Sequence, residues 1–345
     1  MMGAIVAAIA LLLFGCSESR SPVTGVKVLE VSELPATPNA VALSPDGRLV
    51  VVGDLDGDLT ARSVPTGTER WKVRVHPPGA TRRIDGLVFS PDGSLLASTG
   101  QDAPAVELWR AANGRRAGVL KIAQSRAAVF HPKDRTLVVA AATAIHVVDV
   151  KQAEITRTLA NAHRGQRVDA VAFSSDGRVL ATASDRGLLK LWNWPALTVR
   201  TSVSMASSLE AMAPVSLALT RDGARVAVNG TLGQVQVVDA VKGREERTFT
   251  NAPEAPGDAM HGELRQSLVF TADGDWLLAP DAHDRGLRML HVPRGTAHTV
   301  IRSDGPFYKA VAIALPASLA ALTRPNGFEV WRFTPPAGTA ITSSR

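Results

Sequence analysis

The sequence predicts an all-β protein, a seven-bladed β-propeller of four-stranded antiparallel blades closed by an N-terminal strand, and three observations carry that expectation. A short turn recurs as Ser-Pro-Asp-Gly at Ser44–Gly47 and Ser90–Gly93, and in altered form at His131–Asp134, Ser174–Gly177, Thr220–Gly223 and Thr271–Gly274, with a degenerate copy at Ala314–Ala317. Asp-Gly between two apolar runs reads as two strands joined by a tight turn. Successive turns begin 41 to 51 residues apart, a period that belongs to propeller blades and exceeds the helical repeats of about 34 residues. Each turn is also followed by a further apolar run, among them AVELW, AIHVVDV, LLKLW, QVQVVDA, LRMLHV and FEVW, that supplies a third strand.

At 345 residues an ordinary chain divides into two domains, but a closed ring of repeats is one body. Apolar residues make up 45% and charged residues 20%, which excludes a largely disordered chain. The runs LVVVG, LVVAAA and ARVAV are almost wholly apolar, as expected of strands covered on both faces by neighbouring blades. Net charge is +6, yet Lys and Arg never form a block of five, and aromatic residues amount to 5%. A nucleic-acid surface needs clustered cations interleaved with stacking rings, so no nucleic-acid partner is expected.

Taken in order, the chain begins with AIVAAIALLLF from Ala4 to Phe14, an uncharged run of eleven. That is too short to span a bilayer and fits the core of a signal peptide. Leu13-Phe14-Gly15-Cys16 then resembles the lipobox of bacterial lipoproteins. The resemblance implies cleavage before Cys16, acylation of its thiol and amine, and a membrane-anchored protein of the cell envelope. Ser17 after the cysteine implies the outer rather than the inner membrane. The alternative is a buried N-terminal segment with an incidental small hydrophobe at Cys16. Residues 1–15 are accordingly read as signal peptide and 16–24 as a tether. Cys16 is the sole cysteine, so no disulfide is available to the fold. Gly25–Val31, GVKVLEV, alternates like a strand and precedes the first turn, so it is expected to complete the last blade and remove an open edge. The rival donor is Thr339–Ser343 in the tail, residues 335–345, which Pro335-Pro336 and polar composition make the poorer strand.

The third strands carry Trp109, Trp192 and Trp331 at one place, with Val147-Val148-Asp149 and Val237-Val238-Asp239 at the corresponding place in other copies. Over residues 25–334 the chain therefore resembles the WD40 repeat family, with YVTN-like variation. The resemblance implies a hydrogen-bonded set of His163, Ser184, Asp185 and Trp192 holding the central blade.

Asp54, Asp56 and Asp58 in GDLDGDL invite a calcium loop, but Leu59 and Pro65 stand where such a loop needs Gly and Glu. A hairpin turn accounts for them. No HExxH, CxxCH, GxSxG or phosphate-binding glycine loop is present, so no catalytic residue, metal ligand or cofactor is assigned. The connections between blades are long, and the resemblance puts them on one face around the channel mouth, where loops on a rigid scaffold generally bind. Arg83, Arg126, Arg167, Arg265 and Lys309 each precede the first strand of a blade or begin it. They are expected to converge on the mouth and favour an acidic group; the alternatives are scattered solvated charge, cancellation of the field by acidic neighbours such as Asp85, Asp169 and Glu263, or contact through Met205, Met212 and Phe307. The leading functional expectation is a non-catalytic, monomeric scaffold displaying this face to another protein or an acidic envelope ligand. The alternative is an enzyme of lactonase or quinoprotein dehydrogenase type with its site at the mouth.

Overall fold

The computed structural model describes residues 25–75, 83–205, 214–230, 234–250, 268–281, 286–302 and 310–334. These form seven four-stranded antiparallel sheets. The first strands, nearest the axis, are Pro38–Leu43, Gly86–Phe89, Ser125–Phe130, Val168–Phe173, Pro214–Leu219, Val269–Phe270 and Val311–Ala314. We number the blades 1 to 7 in that order. Among the described residues no helix is long and apolar enough to cross a membrane.

The repeated turn owes its sequence to a small hydrogen-bond system. Ser44 Oγ donates to Asp46 Oδ1 at 2.6 Å, and the same carboxylate oxygen accepts the backbone N–H of Arg48 at 3.1 Å. Ser90 and Asp92, Ser174 and Asp176, Thr220 and Asp222, and Thr271 and Asp273 repeat the pattern. The glycine donates back to the first residue of the turn, Gly47 to Ser44 at 2.8 Å, and sits at φ +71°, in the left-handed region that costs other residues energy. In blade 3 His131 replaces the hydroxyl residue, and Lys133 N–H donates to its Nδ1 at 3.3 Å.

Val26–Val31 pairs antiparallel with Gly327–Arg332, so the ring is closed by the N-terminal strand. The tail, residues 335–345, lies outside the described residues. Second strands are the most buried, with Val50, Val51, Leu137, Val138, Leu180 and Ala181 fully enclosed between neighbouring blades. At the closure Val41, Val50 and Val52 of blade 1 pack on Phe328 and Val330 of blade 7. This apolar contact continues the blade-to-blade core through the point where the ring closes.

The expected hydrogen-bonded set in blade 4 forms with a different hydroxyl. Trp192 Nε1 donates to Thr182 Oγ1 at 2.8 Å, and His163 Nε2 lies 2.7 Å from the same oxygen. Trp192 stands opposite Leu180 in the ladder, which makes Thr182 its diagonal neighbour on the same face. Ser184 instead donates to Gln166 Oε1 at 2.6 Å and accepts Leu188 N–H at 3.0 Å. The Asp185 carboxylate joins neither His163 nor the serine; its backbone N–H donates to Arg167 O at 2.9 Å. The diagonal rule holds in blade 2, where Trp109 is opposite Leu96 and donates to Ser98 Oγ at 3.0 Å. In blade 7 the diagonal position is Leu322, and Trp331 donates to Glu329 of its own strand at 2.9 Å.

Candidate functional site: the channel mouth

Two faces follow from the strand order. The repeated turns and the connections from third to fourth strands share one face, since Val64 N–H reaches Arg48 O at 2.9 Å. The connections between blades emerge on the other. We call these the turn face and the loop face.

At the loop end of the channel a β-bulge falls at the same place in four of the described first strands, between Pro38 and Ala40, Ser125 and Ala127, Val168 and Ala170, and Pro214 and Ser216. A bulge re-aims the extra side chain. Among the residues so placed are Asn39, Arg126 and Asp169, and Asp85 occupies the equivalent position immediately before the first strand of blade 2. Asn39 Nδ2 donates to Ile84 O at 2.8 Å and to Asp85 Oδ1 at 3.2 Å, joining blade 1 to blade 2. Asp85 Oδ2 also accepts Gln101 N–H at 2.7 Å. Arg126 Nε lies 3.7 Å from Asp169 Oδ1, joining blade 3 to blade 4.

The expected like-charge ring is, among the described residues, a ring of ion pairs. Arg83 Nε stands 2.6 Å from Asp85 Oδ1, and Arg167 makes a two-pronged contact with Asp169 at 2.7 and 2.9 Å. Both carboxylates are buried, whereas the Arg83 and Arg167 side chains remain about two-fifths exposed, at 40% and 41%. Arg265 and Lys309 lie outside the described residues, as do Cys16, Met212 and Phe307. Met205 is described and buried at 2% exposure, so it is not presented to a partner.

Below this rim the channel encloses about 390 Å³ and is lined largely by apolar residues, Val88, Val129, Val171, Val269 and Ile313 among them. Thr99, Ser216 and Arg126 are the polar members of its lining. No group of three or more His, Cys, Asp or Glu among the described residues converges as a metal site would.

The aspartates read as a possible calcium loop form the hairpin turn. Asp54 Oδ1 accepts the N–H groups of Asp56 at 3.0 Å and Asp58 at 2.8 Å. Asp58 pairs with Arg74 at 2.6 Å and Lys72 at 3.2 Å. Burial opposes ionisation of Asp58, but these cations outweigh it and hold the carboxyl below its ordinary range.

The sequence reading found the arginines, Arg126 among them, and took Asp85 and Asp169 as cancelling charge; it missed that these acids, with Asn39, form the frame that orders the arginines. Asn39, Asp85, Arg126 and Asp169 each lie five residues before the first residue of a repeated turn, at Ser44, Ser90, His131 and Ser174. That constant offset was the available signal.

Residues 154–193, reaching from the last strand of blade 3 into the third strand of blade 4, match the WD40 family model, described as WD domain, G-beta repeat. The "Cross-pathway control WD-repeat protein 2" of Flammulina velutipes is 28% identical over 131 residues, covering 36% of this chain and 41% of that protein's length. The matched segment stands within a ring of seven like blades, so the chain is a seven-bladed β-propeller in which one stretch is similar to a WD40 repeat.

Proposed function

We propose that the protein is a non-catalytic, lipid-anchored scaffold of the bacterial cell envelope, which captures another protein through acidic groups placed at the loop-face mouth. WD40 propellers are in general protein-interaction modules, and the mouth has the components of such a surface. Partly exposed guanidiniums at Arg83 and Arg167 are pre-oriented by the buried carboxylates of Asp85 and Asp169. An oriented guanidinium retains outward donors for a partner's carboxylate and loses little side-chain freedom on binding.

The observation that carries the proposal is where the chain enters the ring. Val26 pairs with Arg332, which pairs with Leu319 beside the turn of blade 7, so the N-terminal strand begins on the turn face. An anchor at Cys16 therefore joins the propeller from its turn face and leaves the loop face unobstructed for a partner. Two or three acyl chains at Cys16 suffice for stable anchoring, where a single chain binds only marginally.

Fractionation of cells expressing wild type and Cys16→Ser tests the anchor: wild type partitions into detergent and the variant becomes soluble or remains unprocessed. Unchanged partition and mass contradict it. Joint replacement of Arg83, Arg167 and Arg265 by Gln tests the mouth. Capture of a partner is expected to weaken more at low than at high ionic strength, and capture unchanged at both removes the arginines from the interface.

A further inference from the structure

The turn face treats its two signs of charge differently. Asp46 and Asp92 are bound into their own turns, each by a serine hydroxyl at 2.6 Å and a backbone N–H. Three arginines at the turn-face ends of blades 1 and 2 are held loosely or not at all. Arg48 stands 4.0 Å from Asp46 with its side chain 87% exposed. Arg70 and Arg110 are exposed, and among the described residues neither side chain has a hydrogen-bonded or ion-paired partner.

These three arginines border one concavity. A groove of about 1210 Å³ runs between the turn-face ends of blades 1 and 2, lined by Arg48, Arg70 and Arg110, and also by Asp46 and Asp92, whose carboxylates are engaged within their own turns. Exposed guanidiniums around a polar groove match a phosphate oxyanion, which accepts paired N–H donors from each.

The same face receives the N-terminal strand, and in the neighbouring sector. Leu29 of that strand lies against Gly67 in the connection between the third and fourth strands of blade 1; a Cβ at Gly67 would come within 2.9 Å of the leucine. Arg70 follows three residues after Gly67. The point where the chain enters the ring and the arginine groove therefore share one edge of the molecule.

We propose that this turn-face groove binds the phosphate headgroups of an anionic phospholipid surface, so that the propeller lies turn face down on the membrane. The inference rests on the anchored reading given above, and adds to it a protein-side contact that fixes orientation. Acyl chains on a tether alone leave the propeller free to tumble. Arginines at an anionic surface each contribute roughly a fivefold gain in partition, and the gain is screened by salt.

The test separates the groove from the anchor by using the full chain with Cys16→Ser, which has no acyl chains. Co-sedimentation is measured with phosphatidylcholine vesicles with and without phosphatidylglycerol. The expected result is partition onto the phosphatidylglycerol vesicles alone, weakened by salt and reduced roughly twenty-fold by Arg70→Gln with Arg110→Gln. Arg70→Lys with Arg110→Lys, which keeps the charge, retains most of the binding. Arg186→Gln on the loop face leaves it unchanged. Equal partition onto both vesicle types, or undiminished binding by the double Gln variant, overturns the proposal. So does binding of soluble glycerophosphate with no binding to vesicles. Vesicle binding of this kind alongside an unacylated wild-type Cys16 would sink the anchor and leave the groove standing.

Discussion

Lys27 Nζ lies 3.0 Å from Glu329 Oε1, so the first strand of the chain is tied to the last by an ion pair as well as by a backbone ladder. Glu329 is nearly enclosed, with 7% of its side chain exposed, and also accepts from Arg324 Nη2 at 2.6 Å and Trp331 Nε1 at 2.9 Å. Burial raises its pKa, but the Trp331, Arg324 and Lys27 donors outweigh burial and hold it below the ordinary glutamate value. A depressed carboxylate contributes stability above the unfolded pKa and loses it as pH falls through the folded value. Glu329→Gln is expected to cost about 2 kcal/mol at neutral pH, and to flatten the fall in stability below about pH 4.3. Urea unfolding across pH checks both.

The ladder itself matters more than the ion pair. Internal deletion of Gly25–Val31 exposes the edge of Gly327–Arg332 and uncouples blade 7 from blade 1, and is expected to lower the melting temperature by about 10 °C or more. Deletion of residues 339–345 is expected to change it little. Calorimetry on the two deletions decides which terminus closes the ring in solution, and a more damaging tail deletion contradicts the strand assignment.

Thr182, not Ser184, holds the indole of Trp192 and the imidazole of His163. Thr182→Val keeps the shape and removes the oxygen, leaving two fully buried ring nitrogens without their partner. A loss of about 2 kcal/mol or more is expected. Ser184→Ala should cost about 1 kcal/mol, since the partners it releases are less enclosed. Denaturant midpoints for the pair give the order, and the reverse order contradicts the assignment.

His163 adds a pH dependence. Burial first, and the neighbouring Lys190 charge second, lower its pKa to about 4, so the folded protein keeps the imidazole neutral. The unfolded chain binds a proton near pH 6.5, as free histidine does. Stability from this site is therefore complete above about pH 6.5 and is lost between there and about pH 4, by on the order of 3 kcal/mol. His163→Gln is expected to reduce the slope of stability against pH in that window, leaving the part below it to carboxylates such as Glu329.

The ring of blades was legible in the sequence because each repeated turn encodes its own geometry. The hydroxyl, the aspartate and the left-handed glycine are all local, so spacing alone places the strands. Closure by Gly25–Val31 was legible for a related reason, since an alternating strand without a turn of its own leaves one vacancy to fill. Choosing Thr182 over Ser184 needed the register between the second and third strands, which spacing along one strand does not contain. The mouth was harder still. Arg83 and Arg167 are conspicuous as charges, but Asp85 and Asp169 acquire their role from position at the inner rim, and the Asn39 and Arg126 links cross between blades.

Site-specific photocrosslinking in intact cells tests the central claim most directly. A photoreactive residue is placed in turn at Arg83, Gln101 and Arg167 on the loop face, and at Arg48 and Arg178 on the turn face. The account predicts that the loop-face positions crosslink to a common protein partner in the envelope and that the turn-face positions do not. Protein crosslinks confined to the turn face, with none from the channel mouth, would contradict it.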